Sequence, residues 1–253
     1  EKNHDTNVRA TRDTWAKRCD GFLAFSTLSD PTLPSINILH EGPEEYDNMW
    51  QKSRSIWRYV YEHLREDFDF FLLGGDDMFY IPENLRKYLN SAEIRERRED
   101  AQTSGLFLGR RFFPPKQEVF NSGGAGYILD SKALKLLGEA LVAGSPRCWP
   151  HQKGFWEDVN VANCLRQVTA ERKEWGPFGQ IMPYDTRDRK RRERFHPFTP
   201  GQHLEYKLPR PGVKDWYQDY NPELKLGFEC CSAESVSFHY VPHTLMRRMY
   251  AQV

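Results

Sequence analysis

The sequence predicts an α/β domain in which helices connect parallel strands. Residues 43–67 carry large apolar side chains at steps of three and four, which predicts a long helix with one buried face. Residues 68–73 then place five large apolar side chains in six positions, as is typical of a strand buried on both faces. This order of helix and strand recurs along the chain, and it favours parallel crossover connections.

The composition is that of a globular protein and indicates no particular charged partner. The chain of 253 residues is long enough for one large α/β domain, and its hydrophobic content is 39%. Lys and Arg together number 36, as do Asp and Glu, so no overall positive field favours nucleic acid or a membrane surface. No apolar stretch approaches the roughly 18 residues of a spanning helix. Because no signal peptide opens the sequence, we expect a fragment whose targeting segment lies outside it.

The first part of the chain is predicted to contain a helix and two short strands. Residues 7–17 place apolar side chains on one helical face and basic side chains elsewhere, which predicts an amphipathic helix covering a sheet. Residues 21–26 and 36–39 are short apolar runs separated by a loop with two prolines, and both are predicted strands.

The middle of the chain is predicted to contain one further helix and two further strands. Pro82 suits the first position of a helix that runs through Leu89, and the polar residues 90–103 are interpreted as a solvated loop. Residues 105–109 form a predicted strand, and residues 121–129 form a glycine-rich turn that leads into another strand.

Two more helices and one strand complete the prediction. Ser131 is expected to cap a helix through Val142, and the next helix begins near residue 157. Residues 187–194 hold six Lys or Arg in eight positions without interleaved aromatic side chains, so we interpret them mainly as a solvated loop. Residues 235–241 alternate in character and are rich in β-forming residues, which predicts a strand.

Two adjacent carboxylates, Asp76 and Asp77, stand at the predicted carboxyl end of the buried strand. Open α/β sheets bind ligands there, and paired carboxylates can hold a divalent cation that neutralises a nucleotide diphosphate. The pair could instead end the strand and start the helix at Pro82 as a turn or N-cap. Both interpretations remain open on these residues alone.

Glu157 and Asp158 form a second acidic pair, at the start of a predicted helix. The helix dipole favours carboxylates in a first turn, which gives them a structural explanation. A carboxylate beside an aromatic side chain at a helix start can also serve as a general base for a substrate hydroxyl. His239, in the last predicted strand, is either a hydrogen-bonded core residue or a metal ligand, and the second requires that it meets Asp76 and Asp77 in space.

The five cysteines also have two explanations. Cys19, Cys148, Cys164, Cys230 and Cys231 fit a set of buried thiols, whereas disulfides need independent evidence for a secretory compartment.

A set of short runs forms an ordered pattern along most of the chain from Val8 to Tyr240. The runs are residues 14–19 (TWAKRC), 69–72 (DFFL) with Asp76 and Asp77, 83–86 (ENLR), 109–112 (GRRF), 122–127 (SGGAGY), 157–159 (EDV), 194–198 (RFHPF), 230–232 (CCS) and 236–241 (VSFHYV). In this order they resemble the core 1 β1,3-galactosyltransferases, within the broader glycosyltransferase family 31 that also contains fringe.

The resemblance implies a GT-A fold, which is one α/β domain with a mixed, mainly parallel central sheet flanked by helices. It also implies a divalent metal, usually Mn²⁺, and a UDP-sugar donor. Asp77 and His239 match the family's metal ligands, and Asp76 matches a residue near the donor sugar or ribose. The remaining residues expected to bind the donor are a glycine-rich segment and two arginines: Gly123, Gly124, Ala125, Gly126, Arg9 and Arg110.

The reaction implied by the resemblance is an inverting transfer, in which Asp158 deprotonates the acceptor hydroxyl and Glu157 is the alternative base. Galactose would move from UDP-galactose to the 3-hydroxyl of O-linked N-acetylgalactosamine on a glycoprotein or glycopeptide. Four aromatic side chains are expected either to line the acceptor or to pack in the core: Trp156, Trp216, Tyr217 and Tyr220. The alternatives are a family 31 transferase with another donor or acceptor, and a catalytically silent, chaperone-like paralogue.

Two departures from the family pattern favour the silent alternative. Gly75 stands where the family has the first of three Asp residues, and the strand that precedes the first helix in family members is absent before Glu1. Because Asp77 and His239 are both kept, an enzyme remains the leading hypothesis.

The resemblance also bears on location, partners and cysteines. It implies the Golgi lumen, as the luminal part of a type II membrane protein whose anchor lies outside this sequence. Disulfides are then permitted: Cys148 with Cys164 matches a family pair, and Cys19 would pair with Cys230 or Cys231, leaving one thiol for the missing strand. Expected partners are the nucleotide sugar and the acceptor, with a homodimer as an open point. Nucleic acid and direct membrane contact are not expected.

Overall fold

The structure is a computed structural model that describes residues 2–100, 105–170 and 180–253. Its helices are α1 (Arg9–Asp13), α2 (Met49–Leu64), α3 (Pro82–Leu89), α4 (Ala92–Glu99), α5 (Ser131–Val142), α6 (Glu157–Thr169), α7 (Pro200–Glu205), α8 (Trp216–Asp219) and α9 (His243–Tyr250). Its strands are β1 (Ala24–Ser26), β2 (Ser35–Asn37), β3 (Phe70–Leu73), β4 (Phe79–Tyr80), β5 (Phe107–Gly109), β6 (Arg111–Phe112), β7 (Phe120–Asn121), β8 (Tyr127–Asp130), β9 (Pro183–Asp185), β10 (Phe195–His196) and β11 (Ser237–Phe238). Across these three ranges, no helix is both long enough and apolar enough to cross a bilayer.

A four-stranded sheet in the order β3-β8-β5-β9 lies at the centre of the molecule. Strand β8 pairs antiparallel with both β3 and β5, whereas β5 and β9 run parallel. The sheet is mixed, as expected, but its parallel pairing is confined to the β5–β9 ladder. The outer strand β3 is also less enclosed than predicted: Phe71 is buried, and its other residues are partly exposed because β3 has a single neighbour.

Each face of the central sheet carries its own apolar core, because successive residues of a strand point to opposite faces. On one face, Phe107 and Leu129 pack with side chains from α2, α5 and α6. On the other face, Leu108 and Ile128 pack with Trp15 and with side chains from α1, α3, α4 and α9. Helices therefore cover both faces of a mixed sheet, which is consistent with a glycosyltransferase fold.

A second sheet, β10-β11-β4, joins two distant parts of the chain. Strand β11 runs antiparallel to β4, with Phe238 opposite Phe79. The contact continues past the strands, where the Val241 N–H donates to the Asp77 carbonyl oxygen at 2.8 Å. The residues just before β4 and just after β11 are therefore neighbours.

The loop predicted at 90–103 contains a helix within residues 90–100, and residues 101–103 lie outside the described part of the chain. Ala92–Glu99 form α4, because the Ser91 hydroxyl accepts a hydrogen bond from the Ile94 N–H and caps the helix. The Ile94 side chain is fully buried, so one apolar contact anchors an otherwise polar helix.

Two other element boundaries differ from prediction. The cap of α5 is Asp130 rather than Ser131, because the Asp130 carboxylate accepts from the Ala133 N–H at 2.8 Å. The last strand covers only Ser237–Phe238, since the chain turns at Tyr240, whose φ of 55° is left-handed.

Two disulfides are present among the described residues. The expected Cys148–Cys164 bond is confirmed. The second joins the adjacent Cys230 and Cys231, and Cys19 is a free thiol. The expected pairing of Cys19 with either of them is therefore wrong, because each is already bonded to its neighbour.

Candidate active site

Asp77 and His239 meet at the end of the β4–β11 ladder. Asp77 lies in the turn before β4 and His239 directly follows β11, so the antiparallel register brings them to one corner. Asp77 Oδ1 and His239 Nε2 are 3.2 Å apart, and the His239 side chain is 16% exposed. This is the meeting on which the metal interpretation of both residues depends.

The second ring nitrogen of His239 determines what this corner can bind. His239 Nδ1 lies 3.3 Å from the Pro197 carbonyl oxygen, and since a carbonyl only accepts, Nδ1 is the nitrogen that donates. In the neutral ring, Nε2 then directs a lone pair towards Asp77 Oδ1, which is also an acceptor. Two acceptors that face each other, with the imidazole oriented by a backbone carbonyl, suit a divalent cation. The residues present therefore fit a metal held by Asp77 and His239.

Asp76 and Gly75, which precede Asp77, have their own contacts in this turn. Asp76 accepts a hydrogen bond from Asn3 Nδ2 at 2.7 Å, which ties this turn to the start of the described chain. A Cβ at Gly75 would lie 2.9 Å from Asp77 Oδ1. The glycine that replaces the family's first Asp therefore leaves the Asp77 carboxylate room at this corner.

Two neighbouring glycines lie between the two acidic pairs. The Gly123 N–H donates to Asp158 Oδ2 at 2.8 Å. A Cβ at Gly124 would lie 3.0 Å from His239 Nδ1. Two consecutive residues thus adjoin the acid pair, meaning Glu157 with Asp158, and the metal corner, meaning Asp77 with His239.

The other two residues of the glycine-rich segment are buried. The Ala125 carbonyl accepts from Ser237 Oγ at 2.6 Å, which fixes the turn to β11. Gly126 has a φ of 72°, and a Cβ there would stand 2.0 Å from the Tyr80 hydroxyl, so this position requires glycine. Of the four residues expected to line the donor, Gly123 and Gly124 are the partly exposed ones.

Asp158 is held by the backbone on both carboxyl oxygens. Besides the Gly123 bond to Oδ2, its own Oδ1 accepts from the Val159 N–H at 2.8 Å. Burial raises the pKa of Asp158, and these backbone hydrogen bonds oppose that rise by favouring the ionised form. The side chain is thus fixed in position as a candidate base.

Glu157 is anchored to the core of the molecule. The buried Tyr127 hydroxyl donates to Glu157 Oε2 at 2.8 Å, and Trp57 Nε1 donates to the same hydroxyl at 3.1 Å. Burial, followed by the charge of Asp158, raises the pKa of Glu157 to about 8, while the Tyr127 hydrogen bond lowers it. The sequence could not show this anchor, because the three residues lie on three separate elements.

The two arginines expected at the donor have other partners in the structure. Arg9 forms an ion pair with Asp5 at 2.7 Å on the surface. Arg110 is 2% exposed, pairs with Glu193 at 3.2 Å and donates to the Tyr217 hydroxyl at 3.1 Å. Their roles in donor binding stay predictions, and the geometry gives Arg110 a place in the core instead.

A basic cleft beside Arg110 does not include the metal corner or the acid pair. Two carboxylates in its lining, Glu193 and Glu223, pair with three of its arginines, so part of its positive charge is compensated. The basic segment at 187–194 is accordingly held by ion pairs in part, and is less solvated than the sequence suggested.

Exposed aromatic side chains flank the start of α6. Tyr46 and Phe155 stack with ring centroids 5.9 Å apart, and Phe155 meets Trp156 at 4.7 Å. Partial burial and then the negative charge of Asp158 raise the pKa of Tyr46. The sequence missed Tyr46 because its spacing suited the apolar face of a helix that in fact begins at Met49.

The four aromatic residues expected either as acceptor walls or in the core divide into two groups. Trp156 and Trp216 are 60% and 52% exposed and can contact a ligand. Tyr217 is 2% exposed and packs in the core, which is the second of its two expected roles, whereas Tyr220 is partly buried.

Within the described ranges, one group of three candidate metal ligands converges elsewhere, with ligand atoms of His196, His203 and Cys231 within 4.8 Å of one another. The Cys231 sulfur is bonded to Cys230, and the two imidazoles pack edge to face in the core. Without a thiolate, we interpret this group as part of the core.

Comparison with known proteins supports one family for the chain. The Xenopus laevis protein named glycoprotein-N-acetylgalactosamine 3-beta-galactosyltransferase 1 is 29% identical over 241 residues, which are 94% of this chain and 59% of that protein. This similarity supports a core 1 β1,3-galactosyltransferase-like family. The mouse and human proteins named chondroitin sulfate synthase 3 are each 24% identical over 187 residues, 69% of this chain and 20% of theirs. No protein-family model matches the chain.

The match confirms the resemblance seen in the sequence runs. The chain spans 59% of the length of the Xenopus relative and a still smaller share of the synthases.

Proposed function

We propose that this chain is an inverting, metal-dependent hexosyltransferase. It moves galactose from UDP-galactose to the 3-hydroxyl of O-linked N-acetylgalactosamine on glycoproteins. The main support is the corner where Asp77 and His239 lie 3.2 Å apart, across the Gly123–Gly124 peptide from Asp158. Similarity to a protein named for this reaction, over 94% of the chain, supports the choice of donor and acceptor.

Each residue of the site has a separate role in the proposed reaction. Asp77 and His239 would hold Mn²⁺, which when bound neutralises the diphosphate as UDP departs. Asp158 accepts the proton of the acceptor hydroxyl as the new bond from oxygen to the anomeric carbon forms. The bond from that carbon to the phosphate oxygen breaks, UDP keeps its electron pair, and the anomeric configuration inverts. Gly123 and Gly124, which lack side chains, leave room for the donor pyranose, and Asp76 binds the donor sugar or ribose.

The acceptor approaches over the aromatic side chains near α6. Tyr46, Trp156 and Tyr240 are 71%, 60% and 53% exposed, and aromatic faces of this kind pack against the apolar faces of sugar rings. We also place the chain in the Golgi lumen, as one catalytic domain of a type II membrane protein. The Cys148–Cys164 bond supports an oxidising compartment.

The test is transfer from UDP-galactose to a peptide carrying N-acetylgalactosamine, with Mn²⁺ or with a chelator. We expect Mn²⁺-dependent product, and a loss of at least about 10²-fold in Asp158→Asn, as for removal of a general base. Asp20→Asn is the matched control, because this side chain is 79% exposed and pairs with Arg86 at the surface. Full transfer by Asp158→Asn would contradict the proposal.

Another donor or acceptor is the second candidate, and the similarity to chondroitin sulfate synthase 3 favours it. A panel of UDP-sugars, screened for Mn²⁺-dependent release of UDP, separates the two. Gly75 favours the third candidate, a silent chaperone-like paralogue. Calorimetry that shows no binding of Mn²⁺ and UDP would support that candidate over both enzymes.

A further inference from the structure

Two consecutive hydrogen bonds connect Glu157 to the core. Trp57 Nε1 can only donate, so the Tyr127 oxygen is its acceptor at 3.1 Å. The single hydroxyl hydrogen of Tyr127 is then available to donate to Glu157 Oε2, 2.8 Å away. In this arrangement Glu157 Oε2 accepts and Oε1 has no part in the bond to Tyr127.

The other oxygen of Glu157, Oε1, lies close to the glycine turn at Gly123. Glu157 Oε1 lies 2.2 Å from the place where a Cβ of Gly123 would stand, and Asp158 Oδ2 lies 3.4 Å from the same place. Because a neutral carboxyl group accepts best through its carbonyl oxygen, a proton on Glu157 belongs on Oε1.

We propose that Glu157 keeps a proton on Oε1 and is a hydrogen-bond donor beside Asp158, and that Tyr127 is the positioning residue that selects this oxygen. This rests on the proposed function, in which Asp158 is the base. The proton on Glu157 stays in place throughout the transfer, so the balance of the reaction is unchanged. The pair then carries one negative charge, which limits repulsion of the UDP diphosphate.

The surroundings of Glu157 agree with a neutral side chain. The titratable groups that face it are Asp158 on the same helix, Tyr127 on β8 and Tyr46 from the segment before α2. Burial and the Asp158 charge act together to raise the pKa of Glu157 to about 8, with the Tyr127 hydrogen bond as the opposing influence.

The pH dependence of thermal unfolding tests whether Glu157 is protonated, without any measurement of activity. In Glu157→Gln the amide replaces the neutral acid, with a carbonyl for Tyr127 and an N–H on the Oε1 side. The folded wild type binds a proton that the unfolded chain releases above its ordinary pKa of 4.5. We therefore expect wild-type stability to fall relative to the variant between about pH 4.5 and 8, and then to level off. Parallel curves for the two proteins over this range would overturn the proposal.

The pH dependence of sugar transfer tests the role of the protonated Glu157 in the reaction. We expect the rate of wild-type transfer to fall as pH rises through about 8. Glu157→Gln should transfer at a rate within about tenfold of wild type at pH 6.5, and its rate should not fall as pH rises through about 8. If Glu157 were the base, wild-type transfer would instead rise through the same pH, and Glu157→Gln would be as inactive as Asp158→Asn.

Tyr127→Phe tests the positioning residue. Because the Tyr127 hydrogen bond lowers the pKa of Glu157, its removal should move the fall in transfer to higher pH. Tyr88→Phe is the matched control, since its buried hydroxyl has no hydrogen-bond partner among the described residues. An unshifted profile in Tyr127→Phe, or an equal shift in Tyr88→Phe, would contradict the assignment. If no protein transfers sugar, the proposed function fails, while the unfolding curves still decide whether Glu157 is protonated.

Discussion

The metal corner and the acid pair are neighbours, yet they are built on opposite principles. At the metal corner, the register of two strands brings an imidazole nitrogen and a carboxylate oxygen face to face, and both are acceptors. At the acid pair, N–H and O–H groups of the protein already occupy Asp158 Oδ1, Asp158 Oδ2 and Glu157 Oε2. In the proposed mechanism a cation from outside would complete the first, whereas the fold itself completes the second.

The largest expected effect is on the metal corner. In His239→Gln we expect Mn²⁺-dependent transfer to fall by about 10³-fold, since a bound metal supplies several kcal/mol of charge stabilisation. Calorimetry should show weaker binding of Mn²⁺ with UDP. His151→Gln, at a histidine 79% exposed on the surface, is the control. Unchanged Mn²⁺ affinity in His239→Gln would remove this corner from the proposed mechanism.

Adding one methyl group at Gly123 or at Gly124 distinguishes the contribution of the acid pair from that of the metal corner. A Cβ at Gly123 would stand 2.2 Å from Glu157 Oε1, so Gly123→Ala should displace the acid pair and lower transfer about 10²-fold with Mn²⁺ affinity kept. Gly124→Ala places its methyl against His239 and should weaken Mn²⁺ binding instead. Gly201→Ala, where a Cβ meets open space, is the control for both. Identical kinetic defects in the two variants would mean that the regions are not separable.

Removing the Cys148–Cys164 bond should affect stability more than chemistry. The bond closes a loop of 16 residues that ends within α6, and a loop of this size is worth about 3 kcal/mol. Replacing both cysteines with alanine should lower the denaturant midpoint with little change in the slope, measured in urea. Cys19→Ala, at a free thiol, is the control. A double variant as stable as wild type would contradict the expectation.

The smallest expected effect is on the exposed aromatic surface. Trp156→Ala should raise KM for the acceptor by up to about tenfold, because an aromatic contact is worth about 0.5 to 1.5 kcal/mol. Mn²⁺ affinity and the pH profile should be unchanged. Phe228→Ala, at a side chain 86% exposed, controls for loss of surface area. An altered Mn²⁺ affinity in Trp156→Ala would show that the surface and the metal corner are coupled.

The sequence predicted the metal corner better than the acid pair, for a physical reason. Asp77 and His239 each adjoin a short apolar strand, and a single ladder is enough to bring them together. The contact of Tyr127 with Glu157 depends instead on where α6 docks on the sheet, which is a tertiary arrangement without a local signal. The same holds for α4, whose single buried Ile94 is too sparse a pattern to indicate a helix.

The peptide between Gly123 and Gly124 has a consequence for substrate geometry. It is one rigid plane, with consecutive Cα atoms about 3.8 Å apart. A Cβ on its first Cα would meet Glu157 Oε1, and a Cβ on its second would meet His239 Nδ1. In the proposed mechanism this peptide would set the distance between the place where the diphosphate is held and the place where the acceptor oxygen loses its proton. A donor sugar would then have to place its anomeric carbon within an interval that the backbone defines.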